Sequence, residues 1–174
     1  MRRILLGCVL LTVLLLPAAA TARVPGHAEP GFLVIKKGTG DGGVNGHPVV
    51  TLVVQGFVLG RVSQEAQVDV YQLPSVADQG APQVAGADVS TRALRWHGFT
   101  GKQYSGSNFR FRAMGGFYRV VVRGSGVYVF AGGHGNVRLR GSSVYRRADG
   151  TYSLDGAAFR SLPTHLLKRQ IGGG

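Results

Sequence analysis

The chain reads as all-β: an antiparallel sandwich or squat barrel of roughly 9–11 short strands. Short apolar runs alternate at period two, and turn residues part them at about the 8–12-residue spacing of antiparallel β proteins. No window keeps a helical period long enough to stand alone; residues 164–170 come nearest and are too few. Glycine supplies 28 of the 174 residues, against an ordinary share of about 7%. It falls between apolar runs with no Gly-X-Y period, as turns between strands require.

The first element is an address. Met1-Arg2-Arg3 is a basic start, residues 4–16 are nearly all apolar, and Pro17 precedes the small residues Ala18 to Ala22. Ala20-x-Ala22 suits a signal peptidase, so residues 1–22 read as an export signal cleaved before Arg23. The apolar run is shorter than the roughly 20 residues a membrane span needs. Leu5-Leu6-Gly7-Cys8 spells a lipobox, but the apolar run continues past Cys8, which favours cleavage after Ala22. Cys8 is the single cysteine, so the exported chain has no disulfide, thiolate nucleophile or cysteine metal ligand. The expected location is extracellular or envelope-associated.

Residues 23–30, with Pro25, Gly26 and Pro30, form a leader. The single β domain is expected over 31–160. Phe32 to Ile35 open the first strand, a loop covers 38–46, and residues 48–59 form the second strand, with Gly56 as a bulge or bend. Gln67 to Gln72 alternate as a third. Residues 74–93, rich in Pro, Ala, Gly and Asp, read as a long surface loop. Then strands follow quickly: 108–114, a Gly115-Gly116 turn, 117–123, a turn at 124–126, 127–131, a Gly132-Gly133-His134-Gly135 turn, 136–140, 144–147 and 151–154. Residues 161–174 read as a C-terminal tail.

Charge divides the chain. Residues 23–88 carry four Lys/Arg and six Asp/Glu, whereas 89–174 carry fourteen and two. Such an excess draws anionic partners in a salt-dependent way. Alternation sharpens the point. Phe109, Phe111 and Ala113 oppose Arg110 and Arg112; Tyr118, Val120 and Val122 oppose Arg119 and Arg123; Val137 and Leu139 oppose Arg138 and Arg140. If these strands are neighbours in a meander, the six arginines share one sheet face and grip phosphate or carboxylate groups. The aromatics point away from them, so charge binding fits better than base stacking, and no specific nucleic-acid signal is present. For an exported chain the partners in view are anionic envelope polymers or a phospholipid surface.

Other motifs carry less. Residues 38–43 match G-x-G-x-x-G, but a strand follows where a dinucleotide site needs a helix. Residues 41–46 give half a calcium loop and lack its closing Glu. The histidines are scattered without zinc spacing, there is no G-x-S-x-G elbow, and Leu162-Pro163-Thr164 is not a sortase signal. No catalytic residue, cofactor or metal is assigned. A non-catalytic binding module is the leading reading, with a secreted hydrolase holding a cleft in the sandwich as the alternative.

The segments Phe109-Arg110-Phe111-Arg112 to Gly126-Val127, and Gly135-Asn136-Val137-Arg138 to Tyr152-Ser153-Leu154, resemble small exported all-β proteins of unknown function from high-GC Gram-positive bacteria. That resemblance implies an exported β fold and supplies no functional residues.

Overall fold

β-Branched residues at alternate positions hold the backbone extended and give each strand one apolar flank. The computed structural model describes residues 29–74, 80–142 and 150–173. Residues 1–22, read as an export signal, most of the expected leader and the strand expected at 144–147 lie outside them. The described strands are β1 (Gly31–Gly38), β2 (Val50–Val62), β3 (Ala66–Leu73), β4 (Gln83–Ala85), β5 (Ser90–Trp96), β6 (Phe99–Gly106), β7 (Arg110–Gly124), β8 (Val127–Leu139), β9 (Thr151–Leu154), β10 (Arg160–Ser161) and β11 (Leu167–Ile171). A short 3-10 turn, Gly43–Asn45, lies between β1 and β2. The fold is all-β. The strands form one antiparallel sheet ordered β10-β9-β1-β8-β2-β7-β3-β6-β5, with β11 also on β8 and β4 also on β7.

This sheet folds over on itself. β7 and β8 flank β2 on opposite sides, and both run antiparallel to it. Val122, near the end of β7, pairs with Val50, whereas Val127, at the start of β8, pairs with Val62. On a flat sheet those ends of β2 would stand about 40 Å apart. Only Ser125 and Gly126 link β7 to β8, a reach of about 11 Å. β2 must therefore double back.

The crease is a row of glycines. Gly31 pairs with Gly133, Gly133 with Gly56, and Gly56 with Gly116, across β1, β8, β2 and β7. The β2–β7 register slips just after Gly56. Gly56 and Gly133 take φ of 150° and 132°, where a side chain is strained. A Cβ on either would also come within 2.1 Å of a carbonyl oxygen, that of Gly132 or of Gln55.

The crease divides the sheet into two leaves. The first holds residues 50–55 of β2, 117–124 of β7 and 134–139 of β8, together with β3, β5, β6 and β11. The second holds residues 57–62, 110–114 and 127–132 of the same strands, with β1, β4, β9 and β10. Their inner faces share one core. Val50, Leu52, Val54, Val120 and Val137 come from the first leaf, and Leu33, Ile35, Val58, Phe111 and Val129 from the second. Burying each such side chain stabilises the fold by about 1.5–3 kcal/mol.

Several boundaries differ from the sequence expectation. Gly115-Gly116 and the run from Gly132 to Gly135 do not reverse the chain; each lies inside one long strand, β7 or β8. The halves on either side keep the same neighbour: Ala113 and Tyr118 both pair into β2, with Val58 and Val54. Glycine there lets the sheet bend. The loop expected over 74–93 contains β4 and the start of β5, where Val84 and Val89 pack against the core edge. The expected tail contains β10 and β11: β11 zips along β8 from Leu167 to Ile171, and Ile171 is fully buried. The weak helical period at 164–170 is overruled by that pairing.

A candidate anion-binding groove

On the outer surface of the first leaf, β2 forms the floor of a groove of about 730 Å³, lined by Thr51 and Val53. β7 contributes Arg119, and β8 contributes Asn136 and Arg138. Lys168, Arg169 and Gln170 of β11 form one wall, and Trp96, at the end of β5, forms the other. Pleating explains the placement. Val120, Val137 and Leu139 point into the core, so Arg119, Asn136 and Arg138 point out. Val53 pairs with Arg119 on one side and Asn136 on the other, and Thr51 pairs with Arg138.

Arg119 is held in place. Its guanidinium carbon lies 4.4 Å from the centre of the Trp96 ring and 5.2 Å from that of Tyr71. The two rings are themselves 5.9 Å apart, so the guanidinium is clamped in a cation–π arrangement. Burial lowers the Arg119 pKa; Tyr71 and Asp69 oppose that shift, and the charges of Arg123 and Arg138 add to it. The group remains a cation at neutral pH. A fixed guanidinium loses little freedom on meeting a ligand.

Cations crowd the groove. Arg138 and Lys168 stand directly opposite each other across β8 and β11, an arrangement that costs stability between like charges. None of Arg119, Arg138, Lys168 and Arg169 has a carboxylate partner among the described residues. Asp69, whose charge is felt at Arg119, is 5% exposed and already engaged. Arg123 donates from Nη1 to Asp69 Oδ2 at 2.7 Å, while Gln67 and Gln103 amides donate to Asp69 Oδ1 at 3.2 and 3.0 Å.

The six arginines singled out by alternation therefore separate. β2 stands between β7 and β8, so the expected meander neighbourhood does not exist. Arg119 and Arg138 meet in the groove. Arg123, on the same leaf, is bound to Asp69. Arg140 lies just past β8, where its backbone N–H donates to the Val49 carbonyl at 3.0 Å and its Nε is buried without a partner among the described residues. Arg110 and Arg112 lie across the crease on the second leaf, Arg110 opposite Arg61 and Arg112 donating from Nε to Gln83 Oε1 at 2.7 Å.

Sequence reasoning missed Trp96, Lys168 and Arg169. Trp96 is the single tryptophan and stands just before a His97-Gly98 turn, which marked it in principle. Lys168 and Arg169 fall in a stretch without clean alternation, and only the pairing of β11 with β8 sets Lys168 beside Arg138 and brings Arg169 to the wall. Among the described residues no three His, Cys, Asp or Glu side chains gather as a metal site requires. Comparisons with protein-family models, curated proteins and solved structures found no match to this chain.

Proposed function

We propose that this is an exported, non-catalytic binding module whose groove on the first leaf holds an anionic polymer of the cell envelope. The observation that carries this reading is the convergence of Arg119, Arg138 and Lys168 on one concavity, with no carboxylate among the described lining residues to neutralise them. Uncompensated cations in a cleft focus the field on an approaching anion. Thr51, Asn136 and Gln170 add neutral hydrogen-bonding groups suited to a hydroxylated or phosphorylated chain. Among the described lining residues there is no carboxylate, imidazole or thiol, the groups that general acid–base or nucleophilic hydrolysis most often uses. Such a lining favours holding an anion over cutting one.

The test is equilibrium binding of purified protein to inorganic polyphosphate and to polygalacturonate, with neutral dextran as control, at rising salt. Three contacts predict a slope of about −2 in log K against log salt. Arg119→Gln and Arg138→Gln each weaken binding about tenfold. Equal binding to dextran, or affinity indifferent to salt, overturns the reading.

A further inference from the structure

The opposite outer surface, on the second leaf, has a different character. Three rows cross it from the crease outward. The first is Phe32, Gly132, Phe57 and Met114; the second is Val34, Phe130, Leu59 and Arg112; the third is Tyr128, Arg61 and Arg110. Phe130 stacks on Phe32 at 6.0 Å between ring centres and meets Phe57 edge-on at 5.2 Å. Gly132 lets the rings settle on the backbone between them, since a Cβ there would lie 2.5 Å from Phe57 and 3.0 Å from Phe32. Phe32, Phe130 and Met114 nevertheless remain 42%, 41% and 49% exposed. Beyond the rings the surface turns cationic. Arg61 lies 4.4 Å over the Tyr128 ring, and Lys36, farther along β1, lies 4.0 Å over the ring of the exposed Phe159.

We infer that this face docks on an anionic lipid bilayer, its phenylalanines entering the headgroup boundary and its arginines meeting lipid phosphates. Two observations select that occupant over a second copy of the chain. A two-fold dimer through this face would bring its cationic ends, with Arg61, Arg110 and Arg112, into the same interface, whereas an anionic leaflet complements them. The apolar surface offered by Phe32, Phe130 and Met114 is on the order of 250 Å², short of the roughly 450 Å² of apolar area in a stable interface that buries about 800 Å² per partner. Rings at one level with arginines beside them are the arrangement that interfacial association requires, apolar burial plus attraction to anionic lipid. The neighbouring carboxylate, Asp155, accepts the Phe32 backbone N–H at Oδ1 and so anchors the strand edge.

The site is separate from the groove, and the two are tested apart. Purified protein is sedimented with vesicles of phosphatidylcholine and phosphatidylglycerol at 3:1 and with pure phosphatidylcholine. Binding to the mixed vesicles is expected to exceed that to the neutral ones at least tenfold. Phe130→Ser and the pair Arg110→Gln with Arg112→Gln each reduce it about tenfold, while polyphosphate binding is unchanged. Arg119→Gln does the reverse. Phe130 is exposed, and circular dichroism of its variant confirms folding. Trp96, on the far leaf, stays unquenched by brominated lipid. Strong Trp96 quenching, vesicle binding indifferent to Phe130→Ser, or a dimer in sedimentation equilibrium that Phe130→Ser dissolves each overturns the inference.

Discussion

The two leaves are halves of one sheet, share three strands and one core, yet present opposite chemistry outward. The first leaf carries buried polar contacts on its outer surface: Asp69 and Tyr71 are 5% and 7% exposed there, and Val121, 1% exposed, lies outside the shared core. The second carries half-exposed phenylalanines and arginines. Both follow from the same pleat, since the residues of β2, β7 and β8 that point away from the core form both surfaces. The difference lies in what flanks them. β3, β5, β6 and β11 bring side chains that overlie the first surface, and β1, β4 and β9 leave the second open. A fold therefore does not assign a chemistry to a strand; β7 alone supplies Arg119 to the groove and Arg112 to the other face.

The contrast breaks most completely at the crease. Gly56→Ala puts a Cβ against the Gly132 carbonyl in a backbone region that side chains avoid, and is expected to cost about 3 kcal/mol or more, read in urea unfolding. Both leaves lose their ligands together. Next, Arg123→Met strips Asp69 of its cation and destabilises by roughly 2–3 kcal/mol, while polyphosphate affinity at a temperature where the variant is folded stays within about twofold. A tenfold loss of affinity there would place Arg123 in the groove after all.

Alkali separates the leaves by degree. Burial raises the pKa of Tyr71, Tyr104 and Tyr118 above the usual 10.0, and all three lie on the first leaf. Tyr118 also donates its hydroxyl to the carbonyls of Gly80 and Met114, each at 2.8 Å. Since the folded pKa exceeds the unfolded one, this contribution is complete below pH 10 and is lost as pH rises through the folded values. Unfolding followed by circular dichroism is expected to coincide with late tyrosinate absorbance; tyrosines that ionise near 10 in the native protein refute it. The smallest effect is Lys168→Gln. It relieves the opposition to Arg138 and raises Tm by about a degree, while weakening polyphosphate binding severalfold. A lower Tm would mean the pair is not repulsive.

Much of the local structure was legible. The alternation Phe109-Arg110-Phe111-Arg112 predicts which side chains are buried, and Phe111 and Ala113 are, at 4% and 2% exposure. Gly56 read as a bend and is one. The misread glycines share a cause. Gly115-Gly116 and Gly132-Gly133 look like hairpin turns because local sequence records that the backbone departs from an ideal strand, and not whether the next segment returns beside the last. The six arginines illustrate the same gap: alternation places each on an outer face, but β2 intervenes and the crease sends Arg110 and Arg112 to the other side.

By itself, then, the amino-acid order determined the strand-forming runs, their buried flanks and the cationic excess of the C-terminal half, because those depend on neighbours one or two residues away. Only the tertiary structure decided that a glycine row would fold one sheet into two leaves, that Lys168 would join Arg119 beside Trp96, and that Asp69 would claim Arg123. Those outcomes depend on pairing between residues distant in the chain, Gly31 with Gly133 and Leu139 with Leu167, whose energy exists only once the sheet has formed.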